Sequence, residues 1–121
     1  MKKRAKGEWL KAIIWLKKTF PATEPITVRS KLRCKIEYKA LGTAYFCPES
    51  RRFEVTIASD QIFENCVLVL FHEWAHVVTW HKIYARCIIR RKKESFHNKE
   101  WGIAYAQIYR SFFETKPIRK L

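Results

Sequence analysis

The chain has 121 residues, room for a single domain (1–121) and not for two. Its 48% hydrophobic and 15% aromatic content excludes wholesale disorder, and 3 glycines with 4 prolines exclude a collagen-like or low-complexity chain. Lysine and arginine number 25 against 11 acids, a formal net charge of +14; this points to a polyanionic partner, nucleic acid or an anionic membrane surface, and says nothing of fold.

Met1-Lys2-Lys3-Arg4 resembles the basic start of a signal peptide. The apolar run that should follow is broken by Lys11 and closed by Lys17-Lys18, with no small-residue cleavage site after it. No stretch reaches the ~18 uncharged apolar residues of a membrane span. The expectation is an intracellular protein, cytoplasmic or associated with the nucleoid or nucleus, that does not use a membrane. Cys34, Cys47, Cys66 and Cys87 contain no C-x-x-C pair. They read as small core or half-exposed residues, not as a thiolate zinc site or a disulfide framework.

From Glu8 to Phe20, residues Trp9, Ile13, Leu16 and Phe20 share one helical face, with Lys11, Lys17 and Lys18 off it. Pro21 and Pro25 end that helix. From Val28 to Lys39 the side chains alternate without a slip. Val28, Ser30, Leu32, Cys34, Ile36 and Tyr38 form one face; Arg29, Lys31, Arg33, Lys35, Glu37 and Lys39 form the other. The pattern predicts a half-buried antiparallel strand with a row of positive charge outside. Two roles fit the row: a solvated edge that discourages strand pairing, or a strip that tracks phosphates past the active-site mouth through Arg29, Lys31, Arg33 and Lys35.

Gly42 breaks the alternation. Thr43–Cys47 and Phe53–Ala58 read as second and third strands around a turn at Pro48-Glu49-Ser50-Arg51. Ser59 or Asp60 is placed to cap a helix from Gln61 to about Ile83, with Glu64 favouring its N-terminal dipole. That helix is apolar on nearly every side, so it should be the buried centre of the domain. Arg90, Arg91, Lys92 and Lys93 lie in a basic loop, 88–95, a second candidate nucleic-acid contact. A last helix runs from about Asn98 to Phe113, with Trp101, Tyr105, Ile108 and Phe112 inward. The expected architecture is a small α+β domain: N-terminal helix, three-stranded antiparallel sheet, buried central helix and C-terminal helix.

The central helix contains His72-Glu73-Trp74-Ala75-His76, an H-E-x-x-H. Residues four apart share a helical face, with Cβ atoms about 5–6 Å apart. Two imidazoles so placed can bind one Zn²⁺, while Glu73, about 100° round the helix, can take a proton from a metal-activated water. A chance match in a chain of this composition is about 1%. The competing view makes His72 and His76 hydrogen-bonded core residues, but an ionised Glu73 on so apolar a helix is costly without a metal or partner. Of the other histidines, His81 is five residues past His76 and points off the metal face. His97 begins the last helix, where the returning chain can present it as third ligand; Glu100 or Glu94 is the carboxylate fallback. Tyr45, Tyr84, Tyr105 and Arg110 are candidates to stabilise an oxyanion.

With these residues the sequence resembles the SprT-like (Spartan-type) family of zinc metalloproteases. Gly42-Thr43-Ala44-Tyr45-Phe46 and Arg52-Phe53-Glu54-Val55-Thr56-Ile57-Ala58 are similar to the family's strands before its active-site helix. Leu70-Phe71-His72-Glu73-Trp74-Ala75-His76 is similar to its L-x-H-E-x-x-H helix. His97-Asn98-Lys99-Glu100-Trp101 is similar to its H-G-x-E-[FW] segment, with Asn98 where glycine is usual. The resemblance implies a zincin-like domain in which His72, His76 and His97 bind one Zn²⁺ and Glu73 is the catalytic base. It also implies proteolysis of proteins bound or crosslinked to DNA. The alternative function is a nucleic-acid-binding or interaction module with a structural or vestigial zinc site; hydrolysis of a non-peptide bond is a third, since an activated water does not name its electrophile.

Overall fold

A computed structural model describes residues 3–90 and 95–115, the side chains of 3–5 and 88–90 excepted. In chain order it has α1 (Lys3–Thr19), β1 (Ile26–Lys31), two 3-10 turns (Arg33–Lys35 and Glu37–Lys39), β2 (Gly42–Cys47), β3 (Arg52–Ala58), α2 (Phe63–Arg90) and α3 (Lys99–Thr115). This is the α+β arrangement expected, three helices and one three-stranded sheet.

α1 forms because Trp9, Ala12 and Leu16 recur at helical spacing and bury together. It stops at Thr19, two residues before Pro21, and Lys17 and Lys18 in its last turn complement the negative end of the helix dipole. Phe53, Val55 and Ile57 alternate along β3 and are almost wholly buried, which makes β3 the central strand. The order is β1-β3-β2. β2 pairs with β3 antiparallel, Ala44 opposite Val55, whereas β1 pairs with it in parallel, Val28 opposite Val55. The sheet is therefore mixed and not all-antiparallel. The cause is topological: the 3-10 turns carry the chain past the slot that β3 later fills, so β3 returns between β1 and β2 and runs in the direction of β1.

The long strand expected from Val28 to Lys39 ends at Lys31. Lys31 is opposite Ala58, the last residue of β3, and its carbonyl accepts the Ser59 N–H at 2.9 Å. Beyond that point no partner backbone remains, and alternation alone cannot hold an extended chain. Ile36 still reaches the core, but Tyr38, expected inside, is 93% exposed. Cys34 is likewise exposed; Cys66 is buried, Cys47 and Cys87 are half-buried, and all four are free thiols. The positive strip breaks for the same reason. Arg29 and Lys31 lie on β1, at the sheet edge away from β2, while Arg33 and Lys35 sit in a 3-10 turn.

α2 begins at Phe63, and neither expected residue caps it. The Ile62 carbonyl accepts the Cys66 N–H, and the Asp60 carboxylate instead accepts the Arg33 N–H at 2.8 Å. The helix continues to Arg90, seven residues past the expected Ile83 end. Residues 88–90 are therefore helical and not loop; Arg91, Lys92, Lys93 and Glu94 lie outside the described residues. Val67, Leu70, Phe71, Trp74 and Val77 bury α2 between the sheet and the other helices. Phe112 of α3 meets Phe71 and Trp15 with ring centroids 4.8 and 5.3 Å apart. Among the described residues, no helix is long and apolar enough to cross a membrane.

Trp74 is fully buried, and its indole N–H donates to the Phe20 carbonyl at 2.9 Å, tying the end of α1 to the centre of α2. Trp74→Phe strands that carbonyl and should lower stability by about 1–3 kcal/mol. In urea denaturation the midpoint should fall with the m-value unchanged; an unmoved midpoint would assign the bond no role in stability.

Candidate metal centre

His72 and His76 lie one turn apart near the middle of α2, and the chain returns through Ser95-Phe96-His97 to start α3 beside them. The Nε2 atom of His97 is 3.1 Å from Nε2 of His72 and 3.1 Å from Nε2 of His76. Ligand atoms of all three residues lie within 4.8 Å of one another, close enough to hold a metal ion. Two nitrogens bound tetrahedrally at about 2.0–2.1 Å would be ~3.3 Å apart, so the spacing fits a cation with three imidazole ligands. The chemistry of the donors fits as well. Burial, reinforced by His72 and His97, holds His76 down at about 3. Burial and the nearby His97 also lower His72. Both rings are then neutral and keep lone pairs to donate.

Several contacts fix His97. Its backbone N–H donates to Ser95 Oγ at 3.1 Å. Asn98 accepts the Trp101 N–H through Oδ1 at 3.1 Å and so caps α3. Trp101 faces inward as expected and packs half-buried against the core; its ring stacks on His76 at 5.4 Å, and its indole N–H donates to the His72 carbonyl at 3.2 Å. Arg86 of α2 grips Glu100 of α3 with a two-pronged ion pair of 2.5 and 2.8 Å. Glu100 is thus a clamp and not a ligand. His81 points off the site, as its spacing required, and pairs with Glu24 at 2.9 Å against Phe46 and Phe53.

Glu73 is 6% exposed, with Oε1 3.9 Å from His72 Nε2. Burial pushes its carboxyl up to about 7, where it can exchange a proton near neutral pH. It lies on a cleft of about 520 Å³ with His72, walled by Leu41, Leu68 and Val69 and reached by Arg33 and Tyr105. Gly42 makes this possible: a Cβ there would sit 2.6 Å from Val69 Cγ1 and 3.1 Å from Glu73 Cγ. The glycine that broke the strand pattern thus lets β2 touch α2 beside the carboxylate. Of the four oxyanion candidates, Tyr105 alone lines the cleft, with its ring stacked on Trp101 at 5.4 Å. Tyr45 donates to Glu54, Arg110 pairs with Glu114 at 2.8 Å, and Tyr84 is exposed on α2.

Of the described residues expected to contact nucleic acid, Arg33 lines the cleft and Arg29, Lys31 and Lys35 do not. No protein-family model, curated protein or solved structure gives a significant match to the chain.

If the three histidines act together, His97→Ala should weaken Zn²⁺ or Co²⁺ binding by more than ~100-fold in equilibrium dialysis. Full stoichiometric, tight metal in that variant would remove His97 from the site.

The clamp has a pH signature. The Arg86 guanidinium holds Glu100 at about 2, below its ordinary 4.5. The ionised form is favoured in the folded state, so the stabilisation is complete above 4.5 and is lost as pH falls towards 2. Glu100→Gln should therefore lower Tm at pH 7, with the gap to the parent protein closing between pH 4.5 and 2. A gap independent of pH would show that the ion pair does not contribute.

Proposed function

We propose that the protein is a zinc-dependent endopeptidase of SprT-like type, with His72, His76 and His97 as the zinc ligands and Glu73 as the general base. The observation that carries this reading is the convergence of three imidazoles beside a buried, proton-accepting carboxylate that lines an accessible cleft with His72. A structural zinc site is closed by four protein ligands, whereas a catalytic one keeps a position open. Three nitrogens next to a cleft favour the catalytic kind over a module with a structural or vestigial metal.

Bound zinc supplies a Lewis acid that brings the pKa of a water towards 7 and polarises a carbonyl. Glu73 orients the attacking water and takes its proton, which it can pass to the leaving amine; its raised pKa suits both transfers. Tyr105, which lines the cleft, is the candidate donor to negative charge developing on the carbonyl oxygen. β2 is an edge strand whose first residue, Gly42, lies on the cleft, and an unpaired edge offers main-chain hydrogen bonds to an extended peptide. That supports a peptide bond as the electrophile over other hydrolysable groups. The net charge of +14 supports substrates that are associated with DNA, drawn to the protein through their nucleic acid.

Glu73→Gln should keep stoichiometric zinc and lose kcat on an unstructured protein substrate by about 10²-fold or more. An active Glu73→Gln protein would refute the mechanism. DNA association is measured separately: oligonucleotide affinity should fall linearly on a log–log salt plot, with a slope of about 0.7–0.9 per phosphate contact. A flat plot would remove DNA from the proposal.

A further inference from the structure

Arg33 differs from Arg29, Lys31 and Lys35 in reaching the cleft that holds His72 and Glu73. Its main chain is anchored by donation to Asp60 Oδ1 at 2.8 Å, and its Nε donates to the Lys39 carbonyl at 2.6 Å. Tyr38 and Lys39 both have positive φ, 58° and 50°, a conformation that side chains adopt reluctantly, and the Arg33–Lys39 bond ties that turn down. The inner edge of the guanidinium is thereby used, and its two Nη groups remain as a fork. Among the described residues no carboxylate forms an ion pair with it.

The rest of the cleft limits what that fork can bind. Its walls, Leu41, Leu68 and Val69, are apolar, and the one carboxylic acid among its lining residues is Glu73 itself. A nucleic-acid strand brings repeated phosphates, which would meet both the apolar walls and the Glu73 charge. A peptide brings apolar side chains and at most a local negative charge, and a planar carboxylate matches a guanidinium fork with two parallel hydrogen bonds.

We propose that Arg33 determines specificity by binding a carboxylate of the peptide held in the cleft. This rests on the peptidase reading and deepens it: substrates carrying an acidic side chain, or a C-terminal carboxylate, near the cleaved bond are preferred. If the carboxylate is the C-terminus, cleavage occurs close to the chain end.

The test measures binding to zinc-loaded Glu73→Gln protein by fluorescence anisotropy, free of turnover. The probes are three labelled hexapeptides of alanine and leucine. One carries a glutamate and blocked ends, one has glutamine in its place, and one has that glutamine with a free C-terminal carboxylate. One of the two acidic probes should bind about 10-fold more tightly than the neutral one, and which of them does so identifies the source of the carboxylate. Adding Arg33→Gln should abolish the preference, while Arg33→Lys should keep part of it, since the charge remains and the fork does not. Thermal melts establish that both variants are folded, and Arg33→Lys carries the test if Arg33→Gln is not.

Equal binding of the three probes, or a preference that survives Arg33→Gln, overturns the proposal. So does loss of single-stranded oligonucleotide affinity in Arg33→Gln without any discrimination among peptides, which would make phosphate the ligand. Cleavage of the preferred acidic peptide at equal rates by the parent protein and Arg33→Gln overturns the role of Arg33 and leaves the peptidase reading standing. Failure of every peptide to bind removes both.

Discussion

Lone pairs on neighbouring imidazoles repel, and each ring is better solvated by water than by protein unless something compensates. Bringing His97 to 3.1 Å from both His72 and His76 therefore requires two helices that cannot drift apart. The docking of α3 on α2 meets that requirement at several levels. Phe112 against Phe71 supplies apolar contact, Arg86 and Glu100 fasten the open end, and the Trp101 indole bridges to the His72 carbonyl while covering His76. None of these residues would ligate a metal, yet the position of His97 depends on them. Groups beyond the ligands often decide metal affinity in this way.

The same burial that builds the core adjusts the chemistry. His76 is driven far below its ordinary value and Glu73 well above its own, because both lie on the helix that the sheet and α1 enclose. A protonated imidazole would be useless as a ligand, and a carboxylate that never held a proton would be useless as a base. Gly42 contributes by letting β2 approach Val69 and Glu73 closely. Core packing and site electrostatics are here one arrangement.

Charge is divided between surface and cleft. The excess of lysine and arginine, a formal charge of +14, sets up a field that would act on a polyanion at long range and that salt screens. Within the cleft the balance is different: Arg33, anchored through its Nε, shares the lining with apolar walls, His72, Tyr105 and the buried Glu73 carboxyl group.

The sequence by itself determined what depends on short, periodic spacing. The i,i+4 pair and its intervening Glu73, the apolar faces of α1 and α2, the alternation of β3 and the turn between β2 and β3 all follow from geometry within a few residues. His97 was legible too, as the one remaining histidine on a returning chain. Strand order, the parallel pairing of β1 and the end of β1 at Lys31 were not. They depend on where β3 stops, at Ala58, and on its insertion between two earlier strands. A run that alternates to Lys39 reads as one strand until the partner that would pair it is known to be missing. The roles of Arg33, Gly42, Trp101 and the Arg86–Glu100 clamp were hidden for the same reason. Each acts across a gap in sequence that local periodicity cannot span, so only the packed structure could assign them.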